Sequence, residues 1–171
     1  MSFFKDDLKL IKAFLFDVDG VLSDDTTPLD ETGEPVRTGN VKDGFAIRSA
    51  IAAGFVVGII TGANQERVKL RCHHVGIRYF YENAADKAVC LDHFISETGI
   101  AEEEILYMGD DIPDYPVMKR VGIATCPADA VPEIKAASRY VSDRNGGKGC
   151  VRDVIEQVMR SQDKWCDLNG K

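Results

Sequence analysis

Short apolar runs alternate with longer amphipathic stretches along most of the chain. Residues 13–16 (Ala-Phe-Leu-Phe), 55–60, 79–81, 105–108, 122–124 and 140–141 read as strands. Between and after them, residues 44–53, 64–75, 86–99, 113–121, 131–137 and 149–162 carry the spacing of helices. Strand and helix in strict alternation predict a Rossmann-like α/β fold, a parallel sheet with helices on both faces. No repeat, low-complexity tract or linker divides the chain, so residues 1–171 read as one domain.

One stretch breaks the alternation. Residues 21–40 hold two Pro and two Gly, with Asp30-Glu31-Thr32-Gly33 in the middle. That tetrapeptide suits a hairpin turn with Gly at the left-handed position. The stretch is expected to form an inserted β-hairpin, too small to be a cap domain.

The polar residues that follow the apolar runs converge. In an open parallel sheet, ligands bind beyond the carboxyl ends of the strands. The first strand delivers Asp17 and Asp19 to that rim, the second Thr61 and Gly62, and the fourth Asp110 and Asp111, with Asp114 just beyond. Lys87 opens the helix after the third strand. Any one of these signals has a bland explanation: a D-x-D is common, Asp111 could cap a helix, and a lone lysine is usually a surface residue. Together they suit phosphoryl transfer. A carboxylate nucleophile is repelled by a phosphate dianion, and Mg2+ held by Asp17 and Asp110 offsets that repulsion. Asp19 can protonate the leaving oxygen and later take a proton from water. Lys87, Thr61 and the Gly62 N–H can hold phosphate oxygens, and the pathway is covalent, through an aspartyl-phosphate.

Composition narrows the partners. The net charge of −7 argues against nucleic acid or an anionic membrane, which need a basic surface. No run approaches the ~18 apolar residues of a membrane span, and residues 1–12 lack the apolar stretch of a leader peptide. Five widely spaced cysteines without a CxxC predict reduced thiols and a cytoplasmic protein.

The order Phe16-Asp17-Val18-Asp19-Gly20-Val21-Leu22, Ile59-Ile60-Thr61-Gly62, Asp86-Lys87 and Gly109-Asp110-Asp111-Ile112-Pro113-Asp114 resembles the haloacid dehalogenase superfamily of phosphatases over residues 12–159. The resemblance implies Asp17 as nucleophile, Asp19 as acid/base, Thr61 and Lys87 as phosphate ligands, and a Mg2+ site of Asp17, Asp19 and Asp110 supported by Asp111 and Asp114. A narrower set, Asn40-Val41-Lys42-Asp43-Gly44-Phe45, Arg71-Cys72, Val75-Gly76-Ile77, Tyr115-Pro116-Val117-Met118 and Gly146-Gly147-Lys148-Gly149, looks like the capless sugar-acid phosphatases. This implies a sugar-acid phosphate as substrate: 3-deoxy-D-manno-octulosonate 8-phosphate, a lipopolysaccharide precursor, or a related nonulosonate 9-phosphate. It further implies a homotetramer joined through the hairpins, Arg71 as a ligand of the substrate carboxylate, and a flexible Gly-rich segment, residues 145–149, reaching a neighbouring site. Ala63 departs from the pattern, because the octulosonate phosphatases often carry Arg there and the nonulosonate phosphatases Glu.

A receiver-type signalling domain is the competing reading, since it too gathers acidic residues, Thr or Ser and Lys around Mg2+. Its phosphoacceptor Asp follows the third strand, where this chain has Glu82-Asn83.

Overall fold

The apolar runs pair into a single parallel sheet in a computed structural model that describes residues 4–166. Residues 1–3 of the N-terminal stretch read above, and residues 167–171, lie outside the described residues. The strands are β1 (Ala13–Phe16), β2 (Val56–Ile60), β3 (Tyr79–Tyr81), β4 (Ile105–Met108), β5 (Ile123–Cys126) and β6 (Tyr140–Val141). Their order across the sheet is β3-β2-β1-β4-β5-β6. The helices are α1 (Phe4–Leu8), α2 (Val41–Ala52), α3 (Glu66–His74), α4 (Lys87–Thr98), α5 (Tyr115–Met118), α6 (Pro132–Ala137) and α7 (Cys150–Ser161).

Side chains alternate between faces along each strand. Phe14, Phe16, Val57, Ile59, Leu106 and Met108 join one core with α2 and α7. Ala13, Leu15, Ile105 and Tyr107 join a second core with α4, α5 and α6. β1 is buried on both faces, which explains its unbroken apolar run. From β1 the chain builds outward through β2 and β3 on one side, then returns to build β4, β5 and β6 on the other. The order therefore reverses between β1 and β4, where such sheets open a crevice. Phe16 pairs with Met108, so Asp17 and Asp110 leave the sheet side by side at that point.

Several elements differ from their sequence expectation. α2 begins at Val41 rather than 44, because the Asn40 side chain accepts from the N–H groups of Lys42 (2.9 Å) and Asp43 (3.3 Å). The helix expected over 113–121 is a 3-10 turn, Ile112–Asp114, followed by the single turn of α5. Pro113 and Pro116 lack the N–H groups that a continuous helix needs.

The 21–40 insertion turns as expected: Asp30 N–H donates to the Glu34 carbonyl (2.8 Å), and Gly33 takes φ +86°. Its arms share only the bridge between Leu29 and Pro35, not paired strands. Pro28 and Pro35 remove donors from both arms, so a ladder cannot propagate. The feet are pinned instead by Thr38 N–H donating to Ser23 Oγ (2.9 Å) and by Asp24 N–H donating to Thr38 Oγ1 (3.1 Å).

The Gly-rich segment, expected to be flexible, is folded back onto its own chain at residues 145–149. Gly146 N–H donates to Asp129 (2.9 Å), Gly147 N–H to the Val21 carbonyl (2.8 Å), and Asn40 Nδ2 to the Gly147 carbonyl (3.1 Å). These residues lead straight into α7, whose Val151, Val154, Ile155 and Val158 are core residues.

α7 has no capping side chain of its own, because Gly149 stands at its N-cap. Asp43 of α2 supplies the acceptor from across the interface: its Oδ1 takes the Arg152 N–H at 2.8 Å. The other oxygen is buried without a hydrogen-bond partner. Burial raises the Asp43 carboxyl from 3.8 to about 6, against the lowering effects of the Arg152 N–H and charge. The folded state thus holds this proton more tightly than the unfolded chain. The stabilisation is fully present below pH 4 and is lost as pH rises through 6. Asp43→Asn removes that dependence. Chemical denaturation of both proteins at pH 4 and pH 7 should show the variant gaining about 2 kcal/mol relative to the parent over this interval. A parallel pH profile in the two proteins would refute the assignment.

Candidate active site

Asp17 continues β1 by one residue, its N–H donating to the Met108 carbonyl at 3.1 Å. Its carboxylate is nearly buried, with Oδ1 accepting the Val18 N–H (2.7 Å) and Oδ2 paired with Lys87 Nζ (2.7 Å). Lys87 is the first residue of α4, where Asp86 caps the helix, and its ammonium also donates to Asp114 at 2.7 Å. The lysine stem is therefore buried while its charge sits between two carboxylates, a fully compensated arrangement.

Asp114 is wholly buried and holds the other side of the site together. Its Oδ1 accepts from Lys87 and from the Tyr107 hydroxyl, and its Oδ2 from the N–H groups of Asp110 (2.9 Å) and Asp111 (3.3 Å). One oxygen each from Asp17, Asp110 and Asp114 lies within 4.8 Å of the others. With four donors already on Asp114, its oxygens serve to orient the loop. Asp17 and Asp110 are the carboxylates left to meet a cation.

The electrostatics fit such a cation. The Asp110 carboxyl is pushed up to about 8 by burial and by the neighbouring charges of Asp17 and Asp114. Burial and Asp114 raise Asp17 to about 7, although Lys87 opposes them. Negative charge is concentrated beyond what one lysine offsets, and the donors are hard oxygens. That is the chemistry of a Mg2+ site. Backbone packing holds the oxygens close. Gly20 takes φ +75°, and a Cβ there would lie 2.0 Å from Asp110 Oδ2. Gly146 in turn packs on Gly20, with space for no side chain: a Cβ would meet the Gly20 carbonyl oxygen at 1.9 Å.

Thr61 extends β2, its N–H donating to the Tyr81 carbonyl at 2.9 Å. The Thr61 Oγ1 accepts the Ala63 N–H (3.2 Å), which leaves its own proton to donate. A Cβ at Gly62 would meet nothing nearer than 3.9 Å, so that side of the loop is open.

Two of the acidic side chains meet partners outside the carboxylate cluster. The Asp19 side chain lies outside the three-carboxylate cluster and is gripped instead by Arg37, Nε to Oδ1 and Nη2 to Oδ2, each 2.9 Å. Asp111 turns its carboxylate outward to cap the Ile112 N–H (2.8 Å) and supports the site only through its main chain.

Arg71 stands apart from the carboxylates, in an adjoining cavity of about 400 Å3 that Arg37, Asp43 and Arg67 also line. Its Nη2 rests over Gly44, where a Cβ would come within 2.7 Å. His74 is on α3 but does not line this cavity. Tyr107 and Arg37 escaped the sequence reading. A tyrosine inside a buried strand was a usable signal, since its hydroxyl needs a partner. Arg37, in a polar hairpin, offered none.

Comparison with known proteins places this geometry. The family model for haloacid dehalogenase-like hydrolases matches residues 70–155. The chain is 36% identical over 161 residues to 3-deoxy-D-manno-octulosonate 8-phosphate phosphatase of Escherichia coli K12, covering 94% of this chain and 86% of that protein. The crystal structure of the phosphatase of the same name from Yersinia pestis superposes with a TM-score of 0.90 at 34% identity, over 94% of this chain and 86% of that one. The Moraxella catarrhalis enzyme, solved with magnesium, phosphate and a KDO molecule, gives 0.88 at 30% identity, over 93% and 91%. The chain belongs to the haloacid dehalogenase-like hydrolase family.

Proposed function

We propose that this chain is a Mg2+-dependent phosphoric monoester hydrolase acting on 3-deoxy-D-manno-octulosonate 8-phosphate, a lipopolysaccharide precursor, to release the free sugar acid and phosphate. The observation that carries the proposal is the junction of Asp17, Lys87 and Asp110 at the switch point of the sheet, in a chain 36% identical to an octulosonate phosphatase over nearly its full length.

In this reading an Asp17 oxygen attacks phosphorus, and the bond from phosphorus to the ester oxygen breaks as Asp19 gives that oxygen a proton. Water then attacks the aspartyl-phosphate, passes a proton to Asp19 and frees Asp17. Lys87 holds Asp17 in place and reduces its repulsion of the phosphate. The Thr61 hydroxyl and the Gly62 N–H donate to phosphate oxygens. Asp17 and Asp110 would hold Mg2+, with Asp114 and the Asp111 main chain keeping their loop in position. Bound there, the ion supplies positive charge against the reacting phosphate. Arg71, in the adjoining cavity, is the candidate for the sugar-acid carboxylate, as a planar fork suited to it.

The same reading makes the protein a cytoplasmic homotetramer joined through the 21–40 hairpin. Leu29 and Val36 on its arms are 66% and 42% exposed in the single chain, which favours a partner there. Free thiols at all five cysteines suit a reducing compartment. No helix among the described residues is long and apolar enough to cross a membrane.

A phosphate-release assay over sugar phosphates, with the octulosonate 8-phosphate and a nonulosonate 9-phosphate side by side, tests the substrate. Preference for the nonulosonate, or no release from either, would overturn it. Asp17→Asn should lower turnover by at least ~1000-fold with the fold retained by circular dichroism. EDTA should stop the parent enzyme and Mg2+ should restore it. Gly20→Ala should raise the Mg2+ concentration needed for half-maximal activity by roughly tenfold or more, because its Cβ displaces Asp110. An unchanged Mg2+ requirement would argue against Asp110 as a ligand. Leu29→Asp should shift the sedimentation coefficient from a tetramer to a smaller species.

A further inference from the structure

The hairpin brings to Asp19 one residue, Arg37, that no motif marks. Arg37 has a side chain only 7% exposed, whereas the Asp19 carboxylate it binds is 45% exposed. Both forked contacts are 2.9 Å. The remaining guanidinium nitrogen, Nη1, donates to the Pro35 carbonyl at 3.0 Å and lies 3.8 Å from Glu34. The arginine is thus fixed by the hairpin's own backbone and cannot readily reorient.

Geometry of this kind has a consequence for Asp19. An ionised carboxylate has about four lone-pair directions. A two-point fork fixes the plane of the group and uses one direction on each oxygen. One direction on each oxygen remains, and the proton that the acid delivers takes one of them, on a side chain 45% exposed. From the sequence alone, Asp19 sits in a loop with Gly20 after it and has no reason to hold one orientation.

We propose that Arg37 is a positioning residue that holds Asp19 in the orientation needed for proton transfer to the ester oxygen. The inference rests on the acid/base role of Asp19 in the proposed function. Arg37 itself touches neither phosphorus nor the ester oxygen. Through it, the hairpin becomes part of the catalytic apparatus rather than an appendage.

The test uses leaving groups. A sugar alkoxide needs a proton as the P–O bond breaks, whereas p-nitrophenolate departs as the anion. For both substrates kcat/KM reports the steps up to departure of the alcohol. Arg37→Met should lower kcat/KM for the octulosonate 8-phosphate roughly ten- to a hundredfold, and for p-nitrophenyl phosphate by no more than about threefold. Arg37→Lys keeps the charge without the fork and should recover only part of the loss. Equal losses on the two substrates would mean a merely structural role and would overturn the proposal, as would no loss at all or full recovery with Lys. Should Arg37→Met fail to fold, Arg37→Gln serves in the same comparison. Asp19→Asn runs alongside: if it lacks the leaving-group bias, the acid/base reading itself fails. If it has the bias and the Arg37 variants do not, only the positioning role falls.

Discussion

Crowding of carboxylates at the switch point is the constraint around which this structure is arranged. Oxygens of Asp17, Asp110 and Asp114 lie within 4.8 Å of one another. At an effective dielectric of about 20, each such pair of full charges repels by ~3 kcal/mol. Nothing would hold these groups together unless donors were built in, and the donors are specific. Lys87 bridges Asp17 and Asp114, the buried Tyr107 hydroxyl takes Asp114, and two main-chain N–H groups take its other oxygen. What is left unsatisfied faces the crevice, where a divalent cation and a phosphate belong.

The backbone serves the same end. Gly20 lies against Asp110, and Gly146 lies against Gly20, so three chain segments approach more closely than side chains would permit. The stack ties the loop after β1 to the segment before α7. Asn40 reinforces it by capping α2 and donating to the Gly147 carbonyl. The segment that looked like a free tail is therefore a support of the site. Asp43, at the start of α2, completes the link by capping α7 across the interface. A buried carboxylate with one unpartnered oxygen costs stability at neutral pH, and its compensation is the joining of the two helices that cover one face of the sheet.

Family and fold were legible because both rest on local signals. Apolar runs bounded by polar residues predicted all the strands to within a few residues, and the strand-end motifs singled out Asp17, Thr61, Lys87 and Asp110. These signals survive in a single sequence because a buried parallel strand must be apolar throughout and its functional residues must follow directly. Where the reading failed, the cause was a contact between distant parts of the chain. The forked partner of the Asp19 carboxylate, Arg37, stands 18 residues away and carries no motif.

The amino-acid pattern alone thus determined the sheet, the rim and the residue types gathered there, since periodicity and burial are properties of each segment by itself. Only the tertiary structure decided which oxygen each donor meets: Lys87 on Asp17 and Asp114, Arg37 on Asp19, Gly146 against Gly20. Those pairings depend on distances between segments far apart in the chain, set by how helices and loops pack on the finished sheet, and no local spacing encodes them.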